Sequence, residues 1–178
     1  MSLSLAAIPA EPEDTLFAGV EREGDVFHLH ARLSTSLSRC QAWHYLTDYE
    51  AAVNLPGVIR STAARVDERT VQVERVADER ILFLRIRLRS LLEFTEFPME
   101  RLHFTQLAGD SRAFTGEWRI VQDSTGSTLE FSGDWQPDSV IPLFIIDYFA
   151  AHDLETRFRE VRRLAETYKQ THALACSV

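Results

Sequence analysis

An alternation opens the readable part of the chain. Over residues 25–33, Phe27, Leu29, Ala31 and Leu33 fall on one side and His28, His30 and Arg32 on the other. That is the signature of a half-buried strand. The polar run 34–38 can cap a helix, and residues 39–46 carry Trp43 and Leu46 at helical spacing. Thr47 and Asp48 break it, a second short helix follows over 49–53, and Leu55-Pro56-Gly57 ends the pair, since proline and glycine punctuate regular structure. Six more strands are predicted at 58–66, 70–77, 81–97, 101–107, 112–121 and 128–135. Short polar turns separate them, which implies antiparallel pairing. Pro142 opens a last helix reaching about residue 168, with Ile146, Ala150, Leu154, Phe158, Val161, Ala165 and Tyr168 in one apolar stripe. Such a helix is ~40 Å long, and a ten-residue strand spans ~33 Å, so one helix can cross the whole sheet. The expected architecture is α+β: a seven-stranded curved antiparallel sheet wrapped around a long C-terminal helix, with two short helices between the first two strands. One domain is expected over 23–170, flanked by an N-terminal tail (1–22) and a C-terminal tail (171–178).

The strand faces suggest what the fold encloses. In the long strand, Leu82, Leu84, Ile86, Leu88, Leu92 and Phe94 share one face, while Arg85, Arg87 and Arg89 share the other. The arginines should stand in solvent as a cross-strand charge ladder. Phe114, Trp118 and Ile120 share a face in the next-to-last strand, as do Leu129, Phe131 and Trp135 in the last. Gly116 and Gly133 lie on those same faces, where a missing side chain permits bending or leaves room. Residues 142–151 are apolar nearly all round, more than a surface helix needs. Aromatics beside glycines on a concave face suit either a filled core or an apolar pocket. The pocket lining is expected at Leu84, Ile86, Phe104, Phe114, Trp118, Phe131, Trp135, Ile145, Tyr148, Phe149 and His152, with Gln106, Tyr148 and His152 as polar groups.

Composition and charge narrow the function. A net charge of -8 argues against a nucleic-acid scaffold, so no DNA partner is expected. No apolar run approaches the ~20 residues that cross a bilayer, and the N-terminal stretch lacks a basic start. Cys40 and Cys176 are far apart, with the spacing of neither a metal site nor a redox pair. The expectation is two reduced cysteines in a cytoplasmic protein. His28 and His30 share a face without a third ligand, so no metal and no cofactor are expected. There is no phosphate-binding loop or nucleophile elbow, and no catalytic set is assigned.

The order strand, two short helices, six strands and long helix resembles the helix-grip fold of the START-like, or SRPBCC, superfamily. Ala42 to Glu50, Leu55-Pro56-Gly57-Val58, Ser61, Gly109-Asp110, Phe114 to Ile120 and Pro142 carry the likeness. Within it the chain looks most like the polyketide cyclase/dehydrase or coenzyme Q-binding branch. The resemblance implies a cavity between sheet and last helix that holds a hydrophobic small molecule: a lipid, a quinone or a polyketide-like compound. It leaves open an aromatase/cyclase or dehydratase, in which Tyr148, His152 or Arg157 would supply the acid or base. It also leaves open peripheral membrane contact and a ribosome-associated module of the toxin type, for which the arginine stripe is the feature in favour and the acidic charge the one against.

Overall fold

The computed structural model describes residues 16–81, 84–138, 141–172 and 176, without the side chains of residues 81, 84 and 149. Eight strands form one antiparallel sheet: β1 (Leu16–Glu23), β2 (Val26–Thr35), β3 (Val58–Arg65), β4 (Thr70–Ile81), β5 (Leu84–Phe97), β6 (Arg101–Gly109), β7 (Ser111–Gln122) and β8 (Ser127–Pro137). Their order is β1-β2-β8-β7-β6-β5-β4-β3. The expectation of seven strands is thereby corrected to eight. The extra strand, β1, begins inside the stretch expected to be a tail. Leu16, Ala18 and Val20 pack inward, but outward Phe17 is 58% exposed, so apolar residues on both faces blur the alternation.

Strands β2 and β3 lie far apart in the sheet. Helix α1 (Arg39–Thr47) and a 3₁₀ turn (Tyr49–Asn54) carry the chain between them. The start of α1 is fixed by a reciprocal cap: Ser38 Oγ accepts from the Gln41 amide at 3.3 Å, and Gln41 Oε1 accepts from the Ser38 amide at 2.9 Å.

Curvature comes from register shifts at Val58/Arg60, Leu91/Leu92 and Ser111/Ala113, since bulges bend and twist a strand. Gly116 faces Gly133 across β7 and β8. A Cβ at Gly116 would stand 2.7 Å from Phe104 Cζ and 2.6 Å from the Ser132 carbonyl. The absent side chain is what lets the Phe104 ring lie down on the sheet.

Helix α2 (Leu143–Thr171) covers the concave face, closest to β1 and β2. Its stripe buries Ile146, Phe158 and Ala165, with Leu154 and Val161 partly buried. Its C-terminal half is held by polar contacts: Tyr45 Oη donates to the Val161 carbonyl at 2.9 Å, Arg162 Nε to the Ser34 carbonyl at 2.9 Å, and Lys169 Nζ to the Ser36 carbonyl at 2.8 Å. Its N-terminus has no side-chain cap, and Phe144 and Tyr148 are exposed there.

Cys40 and Cys176 form a disulfide, with Cα atoms 5.9 Å apart. The expectation of two reduced cysteines is corrected. With a sequence separation of 136, no local spacing reveals the pair. It forms because α2 returns the chain end to α1.

Candidate ligand-binding site

Aromatic rings run in an unbroken chain across the concave face. Tyr49 meets Phe94 at 4.8 Å between centroids, Phe94 meets Phe104 at 5.4 Å, and Phe104 meets Phe114 at 4.9 Å and Phe131 at 6.2 Å. Trp118 and Phe158 of α2 close the cluster, at 4.9 and 5.4 Å from Phe131. These are favourable aromatic separations. Of the residues expected to line a pocket, Phe104, Phe114, Trp118 and Phe131 meet here. The room left by Gly116 and Gly133 is occupied by the rings of Phe104 and Phe131. The middle of the concave face is packed.

A second apolar cluster gathers at the head of α2. Phe27, Ile141 and Ile146 are buried, with Val20, Leu29, Ile86, Trp135, Leu143 and Ile145 packed against them. Three more predicted residues, Ile86, Trp135 and Ile145, therefore converge here, from β5, β8 and α2. The Trp135 indole donates to Ser111 Oγ at 2.8 Å, and the Gln106 amide donates to the Ser111 carbonyl at 2.8 Å. Ile86, Phe114, Trp118, Trp135 and Ile145 are only half-buried, so an apolar surface continues from the packed centre toward the uncapped end of α2.

Tyr148 and His152 sit apart from both clusters. They are exposed, their rings 4.1 Å apart, and His152 Nδ1 donates to the Tyr148 carbonyl at 2.7 Å. Leu84 and Phe149 have side chains outside the described set, and Leu82 lies outside it altogether.

Two charged residues on the concave face of β4 were not anticipated. Val71, Val73, Arg75, Ala77 and Glu79 alternate along one face, opposite Phe94, Leu92, Ser90, Leu88 and Ile86 of β5. Glu79 is tied to α2: Arg157 Nη1 donates to Glu79 Oε1 at 2.8 Å, its second terminal nitrogen to Oε2, and its Nε to Asp153. Arg75 has no such tie. Its Nε is buried and meets no acceptor among the described residues. Desolvation lowers its pKa below the usual arginine value. Alternation from Val71 and Val73 was the signal that pointed Arg75 inward.

Several other polar groups have partners of their own. Arg87, on the convex face, forms a two-pronged pair with Asp78 across the strands at 2.8 and 3.1 Å. Glu96 is buried and accepts from Tyr49 Oη at 2.9 Å and from Arg65 at 3.1 and 3.0 Å. Burial and that carboxylate push the Tyr49 phenol far above its ordinary pKa. His28 donates to Asp134 at 2.7 Å, and His30 stacks on Phe17. Among the described residues, Cys40, His44 and Cys176 are the cluster of metal-type donors, within 4.8 Å of one another. Both sulfurs are committed to the disulfide. Two surface grooves are also present. One is lined by Phe17, His30, Arg32, Glu117, Arg119 and Glu130 on the convex side, the other by Val58, Ile59, Asp78, Glu79, Arg80 and Arg85 near the β3 edge. No helix among the described residues is long and apolar enough to cross a membrane.

Comparison with known proteins agrees with this architecture. A protein from Thermus thermophilus superimposes with a TM-score of 0.70 at 14% identity, over 84% of this chain and 99% of its own. A STAR-related lipid transfer protein from Xanthomonas axonopodis gives 0.66 at 11% identity, over 83% and 98%. The di-domain aromatase/cyclase StfQ of the steffimycin biosynthetic pathway gives 0.65 at 14% identity over 83% of this chain, which spans 52% of the di-domain's length. At these identities the likeness is one of fold. Among curated proteins, none matches the sequence. The family model described as polyketide cyclase / dehydrase and lipid transport matches residues 35–162, from the end of β2 well into α2. With most of the chain inside that match, the protein belongs to the polyketide cyclase/dehydrase and lipid transport family, within the START-like superfamily.

Proposed function

We propose that the protein binds a hydrophobic small molecule, a lipid, quinone or polyketide-like compound, between β5, β7, β8 and the head of α2. The observation that carries this is the half-buried apolar surface of Ile86, Phe114, Trp118, Trp135 and Ile145, which adjoins a packed aromatic centre and ends at an uncapped helix. Pockets for small molecules are largely apolar with a few placed polar groups. The exposed Phe144 and Tyr148 mark the side from which a ligand enters. The anchored C-terminal half of α2 would stay in place while the head shifts to admit it.

Binding is favoured over catalysis because the candidate acid–base groups are not gathered at this surface. Tyr148 and His152 face solvent, and Arg157 is held by Glu79 and Asp153. A general acid or base has to lie within hydrogen-bond reach of the reacting atom. The test is thermal shift with quinones, fatty acids and aromatic polyketides. At least one class should raise the melting temperature in a concentration-dependent way, and an Ile145→Glu variant should lose that response. A melting temperature unmoved by every apolar compound overturns the reading.

A further inference from the structure

We propose that Arg75 is the anchor for an anionic head group, a carboxylate, on the apolar ligand; this rests on the binding function proposed above. Arg75 stands on the concave face of β4, in register with Ser61 of β3 and Ser90 of β5. The residues before it on that face, Val71 and Val73, are sealed in the core. Those beside and beyond it include Ala77, Leu88 and Ile86. Arg75 is half-buried, and its Nε is sealed from solvent with no acceptor among the described residues. Charged groups are rarely buried unpaired, and an unsatisfied buried donor calls for a specific explanation.

Local partners have been diverted. Glu79 is the acid on the same face of β4, and Arg157 of α2 holds both of its oxygens. The Ser61 hydroxyl donates to the Tyr49 carbonyl at 2.7 Å. The acid is thus engaged elsewhere, and neither Ser61 nor Ser90, the residues in register with Arg75, accepts from its Nε. The half-buried apolar surface begins at Ile86 and Leu88 of the adjoining strand. An amphiphile whose chain lies on that surface would bring its head toward Arg75. A lone guanidinium presents a planar fork that fits one carboxylate with two parallel hydrogen bonds. The class of ligand is therefore an apolar chain or ring system ending in a carboxylate.

The experiment measures binding of dodecanoate and 1-dodecanol to the full chain at about pH 8 by isothermal calorimetry, with wild type, Arg75→Met and Arg75→Lys. Wild type should favour the carboxylate by about tenfold, the effect of one charge-assisted pair. Arg75→Met should bind both probes within about twofold of each other. Arg75→Lys should keep a weaker preference for the carboxylate. Arg75→Met should melt, without ligand, at or above the wild-type temperature, because a half-buried guanidinium with an unsatisfied buried Nε is replaced by an apolar side chain of similar length. Equal binding of both probes by wild type overturns the anchor and leaves the apolar site standing. A carboxylate preference that survives in Arg75→Met overturns it too. So does a variant that melts well below wild type or does not fold, since Arg75 would then be structural. If neither probe binds and no apolar compound shifts the melting temperature, the proposed function falls with it.

Discussion

Replacing Phe158 by alanine tests whether the centre of the concave face is packed or open. Phe158 is 6% exposed. It contacts Phe131 at 5.4 Å and Trp118 at 5.9 Å, and it is the α2 side chain that closes the aromatic cluster from above. Truncating a buried phenylalanine costs about 3–5 kcal/mol, from lost transfer energy plus the cavity left behind. The lower half of that range applies, because the uncapped head of α2 can settle partway into the gap. Against a typical total of about 5–15 kcal/mol, a loss of ~3 kcal/mol is large. For a domain of this size it lowers the melting temperature by roughly 6–12 °C. Urea denaturation should show a lower midpoint with an unchanged slope. The exposed Phe144, truncated in parallel, should stay within about 0.5 kcal/mol of wild type. A cost below about 1 kcal/mol at Phe158, far under the usual range for a buried ring, would refute the reasoning. Its ring would then face open space, and the ligand volume would lie in the middle of the sheet, not at the helix head.

Three further outcomes follow from other contacts. Cys176→Ser should lower stability by about 2–5 kcal/mol, given the 136-residue separation of the bridge; dithiothreitol should destabilise wild type to the same level and leave the variant unmoved. His28 should titrate by NMR above its ordinary value of 6.5, chiefly through its hydrogen bond to Asp134, and Asp134→Asn should bring it down. Because the folded pKa is raised, the stability this pair contributes is present below about 6.5 and disappears as pH rises through the folded value, so wild type and Asp134→Asn should differ in urea midpoint at about pH 6 and converge by about pH 8. Tyr49→Phe should cost about 1.5–3 kcal/mol in urea unfolding, since it removes a donor from the buried Glu96 carboxylate; a change under about 0.5 kcal/mol would mean that Arg65 alone satisfies that group.

The features legible in the chain are those with short-range signatures. The period-two runs of β2, β5, β7 and β8 and the stripe of α2 each repeat within a few residues, and each reflects a face that must be buried. The split of β5 was readable for the same reason, with Arg87 reaching Asp78 in solvent and Leu92 and Phe94 inside. The glycine signal was read correctly as space and ambiguously as to occupant: the rings of Phe104 and Phe131 fill it. What stayed hidden was set by chain crossings. No local pattern brings Cys176 to Cys40, or gathers Ile86, Trp135 and Ile145 at one helix end.

Arg75 shows the limit most sharply. The alternation Val71, Val73, Arg75 already points it inward, yet an inward charge contradicts the rule that makes alternation informative. The acid that shares its strand face is Glu79, four residues on and roughly 13 Å along the strand, within reach only of an extended arginine. The structure removes that partner, because Arg157, 78 residues away, occupies Glu79 from α2. Whether a buried charge is neutralised by its neighbour or left for a ligand is thus decided by tertiary competition for the acid. That competition gives a way to separate the two roles. Arg157→Met should free Glu79 to neutralise Arg75, weakening dodecanoate binding while leaving 1-dodecanol binding close to wild type in the same calorimetric assay. An equal loss for both probes would mean that Arg157 acts by holding α2 in place, and not by keeping Arg75 unpaired.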